Sequence, residues 1–155
     1  MVAMVLATVV PQVVPAQQKG SPEQALFEAA NRERKAHGLA PFKWSAGLAT
    51  AARTHALKMA QENTLSHQFP GELDFAARVR RAGVHFSGVA ENVAQGPNAA
   101  NIHTQWMNSP PHRANLLDPE LDSLGIAVAE RNGQFFAVQD FSQAPPAEPR
   151  STKYK

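Results

Sequence analysis

The sequence predicts a single α+β domain with three or four helices and a small antiparallel sheet. Two long stretches in the first half of the chain carry apolar residues at helical spacing. The last third contains two alternating runs joined by Asn132-Gly133, a pair typical of a two-residue hairpin turn. The chain has 155 residues, which is the size of one domain.

The first two helices are indicated by their ends as well as by their periodicity. Ser21 is a capping residue followed by proline at the first helical position, and Gly38 ends the first apolar pattern. Ser45 opens a second, longer stripe that runs to about Asn63. His55 lies on this stripe, where we interpret it as a hydrogen-bonded core residue rather than a ligand.

A third, short helix is predicted over residues 74–82, and a fourth over residues 98–108, where two prolines end it. Residues 84–96, between these helices, fit either a strand or a loop. The third helix carries three arginines, which we interpret as a solvent-exposed face, with a patch for anionic lipid or polymer as the alternative: Arg78, Arg80 and Arg81.

The hairpin strands are predicted over residues 124–130 and 134–141, and both tryptophans, Trp44 and Trp106, are expected to anchor the core. The proline-containing tail, residues 144–155, is predicted to be disordered. The domain itself is therefore expected to occupy residues 22–143.

The beginning of the chain predicts export. Residues 1–10 form an apolar run that is about half the length of a bilayer span. Small or aliphatic residues follow at Val14-Pro15-Ala16, so residues 1–16 are predicted to be a signal peptide and residues 17–21 a linker. The mature protein would be secreted, periplasmic or cell-surface, without a transmembrane span. No lysine or arginine precedes the run, and an N-terminal strand or an uncleaved anchor is the alternative.

Composition excludes several function classes. The chain has no cysteine, which removes thiol catalysis, cysteine-ligated zinc and disulfides. The formal net charge is only +2, so we expect no nucleic-acid partner.

Two histidines and one acid stand in distinctive local contexts. His67 closes residues 63–67, just after the long helix, and Glu91 lies in the Ala-Glu-Asn-Val step of residues 90–93. His112 lies in residues 106–117, which begin with tryptophan and read Trp-Met-Asn-Ser-Pro-Pro-His-Arg-Ala-Asn-Leu-Leu.

Together with Leu124-Gly125-Ile126 and the run ending at Phe141, this series resembles the CAP superfamily, which includes cysteine-rich secretory proteins, antigen 5 and plant pathogenesis-related proteins. The short bacterial form is the nearest match. The resemblance covers about residues 26–141. It implies a three-layer α-β-α sandwich and a cleft with two histidines and two acids.

Matched residue by residue, the cleft would contain His67, His112 and Glu91. The resemblance places the second acid three residues after the tryptophan, where this chain has Ser109, so the expected set is incomplete. Glu62 and Asp140 are the acids that could approach instead. Further candidate binding residues flank these positions: Ser109, Asn92, Trp106 and Asn115.

Two imidazoles and a carboxylate can hold a divalent cation such as Zn²⁺. They can also act as general base and acid, or simply brace the surrounding loops. Ser109 is expected to cap the turn before His112, and Asn92 and Asn115 are expected to fix the loops that present Glu91 and His112. Trp106 could line the cleft if it is not in the core.

We therefore predict an exported binding module for a lipid, sterol, cell-wall or protein ligand, with an optional divalent metal. The alternatives are a metal-assisted hydrolase that uses Glu91 as base and a structural domain with a vestigial site. The missing second acid favours binding over catalysis.

Overall fold

The sheet has the strand order β1-β3-β4-β2 in a computed structural model that describes residues 20–147. Within this range the elements are α1 (Pro22–Ala36), β1 (Lys43–Trp44), α2 (Ala46–Glu62), α3 (Phe75–Arg81), β2 (Gly88–Gly96), α4 (Ala99–Asn108), α5 (Pro110–Leu116), β3 (Ser123–Arg131) and β4 (Gln134–Gln143). Strand β4 pairs antiparallel with both β2 and β3, whereas the two residues of β1 pair parallel with β3.

Polar caps set the helix boundaries, as the sequence predicted. The Ser21 hydroxyl accepts the Gln24 N–H at 3.1 Å, and the Ser45 hydroxyl accepts the Leu48 N–H at 3.2 Å. Helix α2 ends at Asn63, which adopts the left-handed conformation with φ 49°. Each cap satisfies a terminal backbone group that the helix cannot pair internally.

The hairpin between β3 and β4 is also confirmed. Asn132 and Gly133 both have positive φ, 52° and 73°, as a tight turn matched to the right-handed twist of the strands requires. Residues 84–96, which the sequence left undecided, contain strand β2, and this strand forms the edge of the sheet beside β4.

Alternating side chains place helices on both faces of the sheet. Leu124, Ile126 and Phe141 pack in a core with α1, α4 and α5. Ala127 and Val138 point to the other face and pack against α2. The predicted α-β-α sandwich is therefore confirmed, with one more helix than expected and a short parallel strand at one edge.

The two tryptophans differ in burial. Trp106 is fully buried in the core between α4 and the sheet, as predicted. The prediction for Trp44 is wrong, because its side chain is 46% exposed. Trp44 lies on the edge strand β1, where it makes an edge-on contact with Phe27 at 5.3 Å between ring centroids and has solvent on its other side.

A buried arginine ties the loops near the end of α5. Arg34 of α1 is almost fully buried, and burial lowers its pKa. Among residues 20–147 its guanidinium has no carboxylate within 4.0 Å, and it donates to backbone carbonyls, which supply the acceptors that a buried cation needs. These carbonyls belong to Ala40, Leu116, Asp118 and Leu121.

Within residues 20–147, no helix combines the length and the apolar character needed to cross a bilayer. The predicted signal peptide, residues 1–16, lies outside the described residues, as do most of the linker and residues 148–155 of the predicted tail. Residues 144–147 are exposed and have no regular secondary structure.

Candidate functional site

The predicted site residues gather around β2, the edge strand of the sheet. Glu91 points to the face covered by α2 and α3, and the next residue, Asn92, points to the opposite face. Because no strand of the described residues lies beyond β2, the loop after α2 and the helix α5 can both approach it. This arrangement brings His67 and His112 to the same region from opposite layers.

Glu91 is the buried centre of the site, with a side chain only 3% exposed. One carboxylate oxygen accepts the Nδ1–H of His67 at 2.8 Å, and the other accepts a guanidinium N–H of Arg78 at 2.5 Å. Burial favours a higher pKa for Glu91, but the hydrogen bond from His67 and the charge of Arg78 outweigh it, so the pKa is lowered. Glu91 is therefore an ionised carboxylate whose two oxygens are both engaged.

His67 is exposed on the surface of the site, with 59% of its side chain accessible. The hydrogen bond to Glu91 raises the pKa of His67, against the opposing effect of its partial burial. The same bond commits Nδ1 to the carboxylate and leaves Nε2 available to a ligand.

His112 lies in the first turn of α5 and is half-buried. Its pKa is lowered by burial and by the neighbouring charge of His67. Both effects favour the neutral form of His112. This is the protonation state that a metal or hydrogen-bond donor requires.

Asn92 and Asn115 form a polar bridge behind His112. The Asn92 amide donates to the His112 carbonyl at 3.1 Å, and the Asn115 amide donates to the Asn92 side-chain oxygen at 2.9 Å. The sequence predicts that Asn115 caps or bonds to backbone; its amide bonds instead to the Asn92 side chain, and through it to the loop that presents His112. Asn92 was expected to support Glu91, but it is fully buried and holds the backbone of His112 instead, because adjacent strand residues point to opposite faces.

Two of the candidate binding residues serve the framework. Trp106 is fully buried and donates its indole N–H to the Val93 carbonyl at 3.2 Å, so it does not line the cleft. Ser109 begins α5, but its hydroxyl makes no capping bond. The backbone carbonyl of Ser109 accepts the Arg113 N–H at 2.8 Å. The two residues after Ser109 are prolines, which have no backbone N–H for a cap to satisfy.

Ser109 supplies no acid, but an acid from another segment lies beside Glu91. Asp140 pairs directly across the strands with Glu91 and is fully buried. Glu72, which the sequence analysis missed, accepts from His55 Nδ1 at 2.7 Å and lies 3.6 Å from the Arg78 guanidinium. The other acid considered, Glu62, is at the surface, where it pairs with Lys58.

Asp140, the cross-strand partner of Glu91, is a buried carboxyl group without a hydrogen-bond donor. No N–H or O–H group in the described part of the chain donates to either Asp140 carboxyl oxygen. Burial and the charge of Glu91 raise the pKa of Asp140 well above its usual range. A raised pKa favours the protonated form of Asp140, in which two adjacent buried carboxyl groups do not repel each other as two anions would.

Arg78 departs most from the sequence prediction. The sequence predicts Arg78 on a solvent-exposed face, but its side chain is buried, at 4% exposure. Its guanidinium donates to Glu91 and to the carbonyls of His67 and Leu73, at 3.3 and 3.2 Å. Arg80 and Arg81 do face solvent, as predicted. Arg78 is buried because carboxylates on the sheet and the preceding loop offer it partners.

The donor set around His67 and His112 is limited. Within residues 20–147, no group of three or more histidine, cysteine, aspartate or glutamate side chains is arranged to hold a metal ion. Glu91 is already bound by Arg78 and His67. The protein donors available to a cation are therefore the two imidazoles, which suit late transition metals better than calcium or magnesium.

The pKa values of the two histidines should be displaced in opposite directions from the ordinary value of 6.5. We expect the pKa of His67 to lie above 6.5, because Glu91 stabilises its charged form, and that of His112 to lie below it. An NMR titration of the imidazole protons measures both. A pKa of His67 at or below that of His112 would contradict the geometry.

The same contacts define a pH window for stability. At the upper end, His67 limits the stabilisation from the His67–Glu91 pair: it is fully present below pH 6.5, the ordinary pKa of His67, and is lost as pH rises through the raised pKa. At the lower end, Glu91 limits it: the stabilisation is fully present above pH 4.5, the ordinary pKa of Glu91, and is lost as pH falls through the lowered pKa. The difference in unfolding free energy between wild type and His67→Ala should therefore be largest between these two values.

Comparison with known proteins supports the resemblance seen in the sequence. The family model described as CAP, the cysteine-rich secretory protein family, matches residues 27–141. The uncharacterized protein YkwD of Bacillus subtilis is 29% identical over 109 residues, which are 70% of this chain and 42% of YkwD.

Two solved structures share the fold. An extracellular protein with an SCP domain from Bacillus anthracis is 29% identical, with a TM-score of 0.73, over 79% of this chain and 40% of that one. An outer surface protein of Borrelia burgdorferi is 21% identical, with a TM-score of 0.74, over 80% of this chain and 93% of that one. The chain thus spans about two fifths of YkwD and of the Bacillus anthracis protein.

Proposed function

The chain belongs to the CAP family, and on that premise we propose that it is an extracytoplasmic binding module in which the exposed His67 and the half-buried His112 bind a divalent transition-metal ion. Its resemblance to an extracellular SCP-domain protein and to an outer surface protein supports export. Lipid, sterol, cell-wall and protein ligands are the classes proposed for the module as a whole.

The contact between His67 and Glu91 carries the proposal. A carboxylate that accepts the hydrogen of one imidazole nitrogen fixes the ring and makes the other nitrogen a better ligand, an arrangement common behind metal-binding histidines. Here Glu91 accepts from Nδ1 of His67 at 2.8 Å, and Arg78 donates to the other oxygen of Glu91. His112 supplies the second imidazole in its neutral form.

A hydrolase that uses Glu91 as general base is less well supported. A base needs contact with the water that it deprotonates and a pKa near the working pH, and the Glu91 side chain is only 3% exposed. Both oxygens of Glu91 accept hydrogen bonds from protein groups, and its pKa is lowered rather than raised. Glu91 is better suited to orienting His67 than to removing a proton from water.

We expect Zn²⁺ to bind the full chain with a dissociation constant on the order of micromolar in a calorimetric titration. His67→Ala/His112→Ala should weaken binding at least about tenfold. Mg²⁺ should give no heat under the same conditions, because two imidazoles are poor ligands for it.

A matched control distinguishes this site from adventitious zinc binding. His37→Ala/His85→Ala removes two exposed histidines that lie outside the cleft and should leave the affinity unchanged. Zinc binding of equal strength in the His67/His112 variant would refute the proposal, as would the absence of binding to the wild-type chain.

A further inference from the structure

A second surface feature lies on the other side of Arg78 from Glu91. A groove of about 550 Å³ runs between α2 and the segment that contains α3. A smaller cavity of about 360 Å³ continues it along α2 and shares Thr54, Gly71 and Glu72 with it. Neither His67 nor His112 lines these cavities, so the groove is distinct from the histidine cleft.

The walls of the groove combine small apolar side chains with two arginines. Ala51 and Ala82 contribute apolar surface, and Leu73 is 43% exposed beside it. Arg78 and Arg81, three residues apart on α3, both line the groove. This combination is typical of sites that bind an organic molecule through an apolar body and one charged group.

The two arginines leave donor capacity that protein groups do not use. Arg81 is exposed and has no carboxylate within 4.0 Å among the described residues. Arg78 uses both terminal nitrogens on Glu91 and on backbone carbonyls, but its buried Nε–H has no acceptor in the part of the chain described. This Nε–H is closed to solvent, so the donors open to a molecule in the groove are those of the exposed Arg81.

We propose that this groove, called here the α2–α3 groove, binds an organic monocarboxylate. The carboxylate would be held by Arg81, with the apolar body lying along α2. The charges favour a monoanion, because Arg78 is already paired with Glu91 and Glu72, which leaves Arg81 as the arginine of the groove available to a ligand. A phosphate dianion would leave excess negative charge next to Glu72.

Threonines on α2 form the opposite wall. The hydroxyls of Thr50 and Thr54 donate to backbone carbonyls one turn earlier, Ala46 at 3.0 Å and Thr50 at 3.3 Å. They therefore present acceptors and methyl groups to the groove rather than donors, which leaves anion binding to α3. Gly71 has φ 79°, and no atom lies within 4 Å of the position that a Cβ would occupy there, so the rim of the groove is open.

The carboxylate could come from a free aliphatic acid or from the C-terminus of a peptide. The probes are octanoate and acetyl-Leu-Ala, each titrated into the full chain and followed by backbone amide shifts in NMR. We expect at least one to bind with a dissociation constant on the order of a millimolar or tighter, with shifts centred on Thr54 and Gly71. The tighter probe identifies the source.

Two variants test the location, each with a matched control. Thr54→Trp fills the groove and should abolish binding, whereas Thr104→Trp should not, because Thr104 is an exposed threonine on α4 with the same bond to the preceding turn. Arg81→Gln should weaken binding about tenfold, the loss expected for a hydrogen bond to a charged group. Arg80→Gln, its exposed neighbour beside Phe86, should leave binding unchanged.

Neutral and doubly charged analogues test the ligand class. Octanol and the C-terminal amide of the peptide should bind at least about tenfold more weakly than the carboxylates. Equal binding of the neutral analogues, tighter binding of octyl phosphate, binding unaffected by Thr54→Trp, or no binding of either carboxylate would each overturn the proposal.

Discussion

Replacing Arg78 by methionine is expected to lower the free energy of unfolding by about 3–5 kcal/mol, the usual cost of removing one partner from a buried ion pair. Methionine can fill the volume of the arginine stem but cannot donate to Glu91 or to the carbonyls of His67 and Leu73. Glu91 and Glu72 would then remain buried without their shared cation. Urea unfolding monitored by circular dichroism measures the change.

Two further variants make this prediction specific. Arg78→Lys keeps the charge but loses the planar guanidinium that reaches several acceptors at once. Its free energy of unfolding should therefore lie between those of the wild type and the methionine variant. The lysine variant can still be measured if the methionine variant does not fold. Arg81→Met, one turn further along the same helix and exposed, should change stability by no more than about 0.5 kcal/mol. A methionine variant at position 78 as stable as the one at position 81 would show that the buried network is not needed.

Replacing Gly125 by alanine is expected to destabilise the fold by about 3 kcal/mol or more, at or above the upper end for overpacked cores. A Cβ at this position would lie 2.1 Å from the Ala49 nitrogen and 2.4 Å from the Leu48 carbonyl carbon. These are backbone atoms in the first turn of α2, so they cannot move aside as a side chain can. Relief requires α2 to shift relative to β3, which disrupts the core on that face.

Gly88→Ala is the matched control, since Gly88 is also a strand glycine of the same sheet. Its added Cβ would meet mainly the Gln143 side chain, at 3.2 Å, and that flexible group can give way. We expect a change within about 1 kcal/mol, because alanine also reduces the entropy lost by glycine on folding. Thermal unfolding of both variants tests the contrast, and similar melting temperatures would contradict it.

The sequence predicted the local structure of this protein well where a single short segment decides it. Ser21 and Ser45 cap helices because their hydroxyls reach the next backbone N–H groups whatever surrounds them. Asn132 and Gly133 form the hairpin turn because few other residues adopt positive φ at low cost. The order of these elements, with the contexts of His67, Glu91 and His112, also sufficed to recognise the family and therefore the layers.

Only the tertiary structure decided how the site is assembled. Arg78 on a short helix has the same local pattern as Arg80 and Arg81, and its burial depends on carboxylates that other segments bring to it. Asp140 joins Glu91 through strand register, and Glu72 joins through contacts with His55 and Arg78. Pairing across a sheet and burial of charge depend on residues distant in sequence, so local sequence patterns do not predict them.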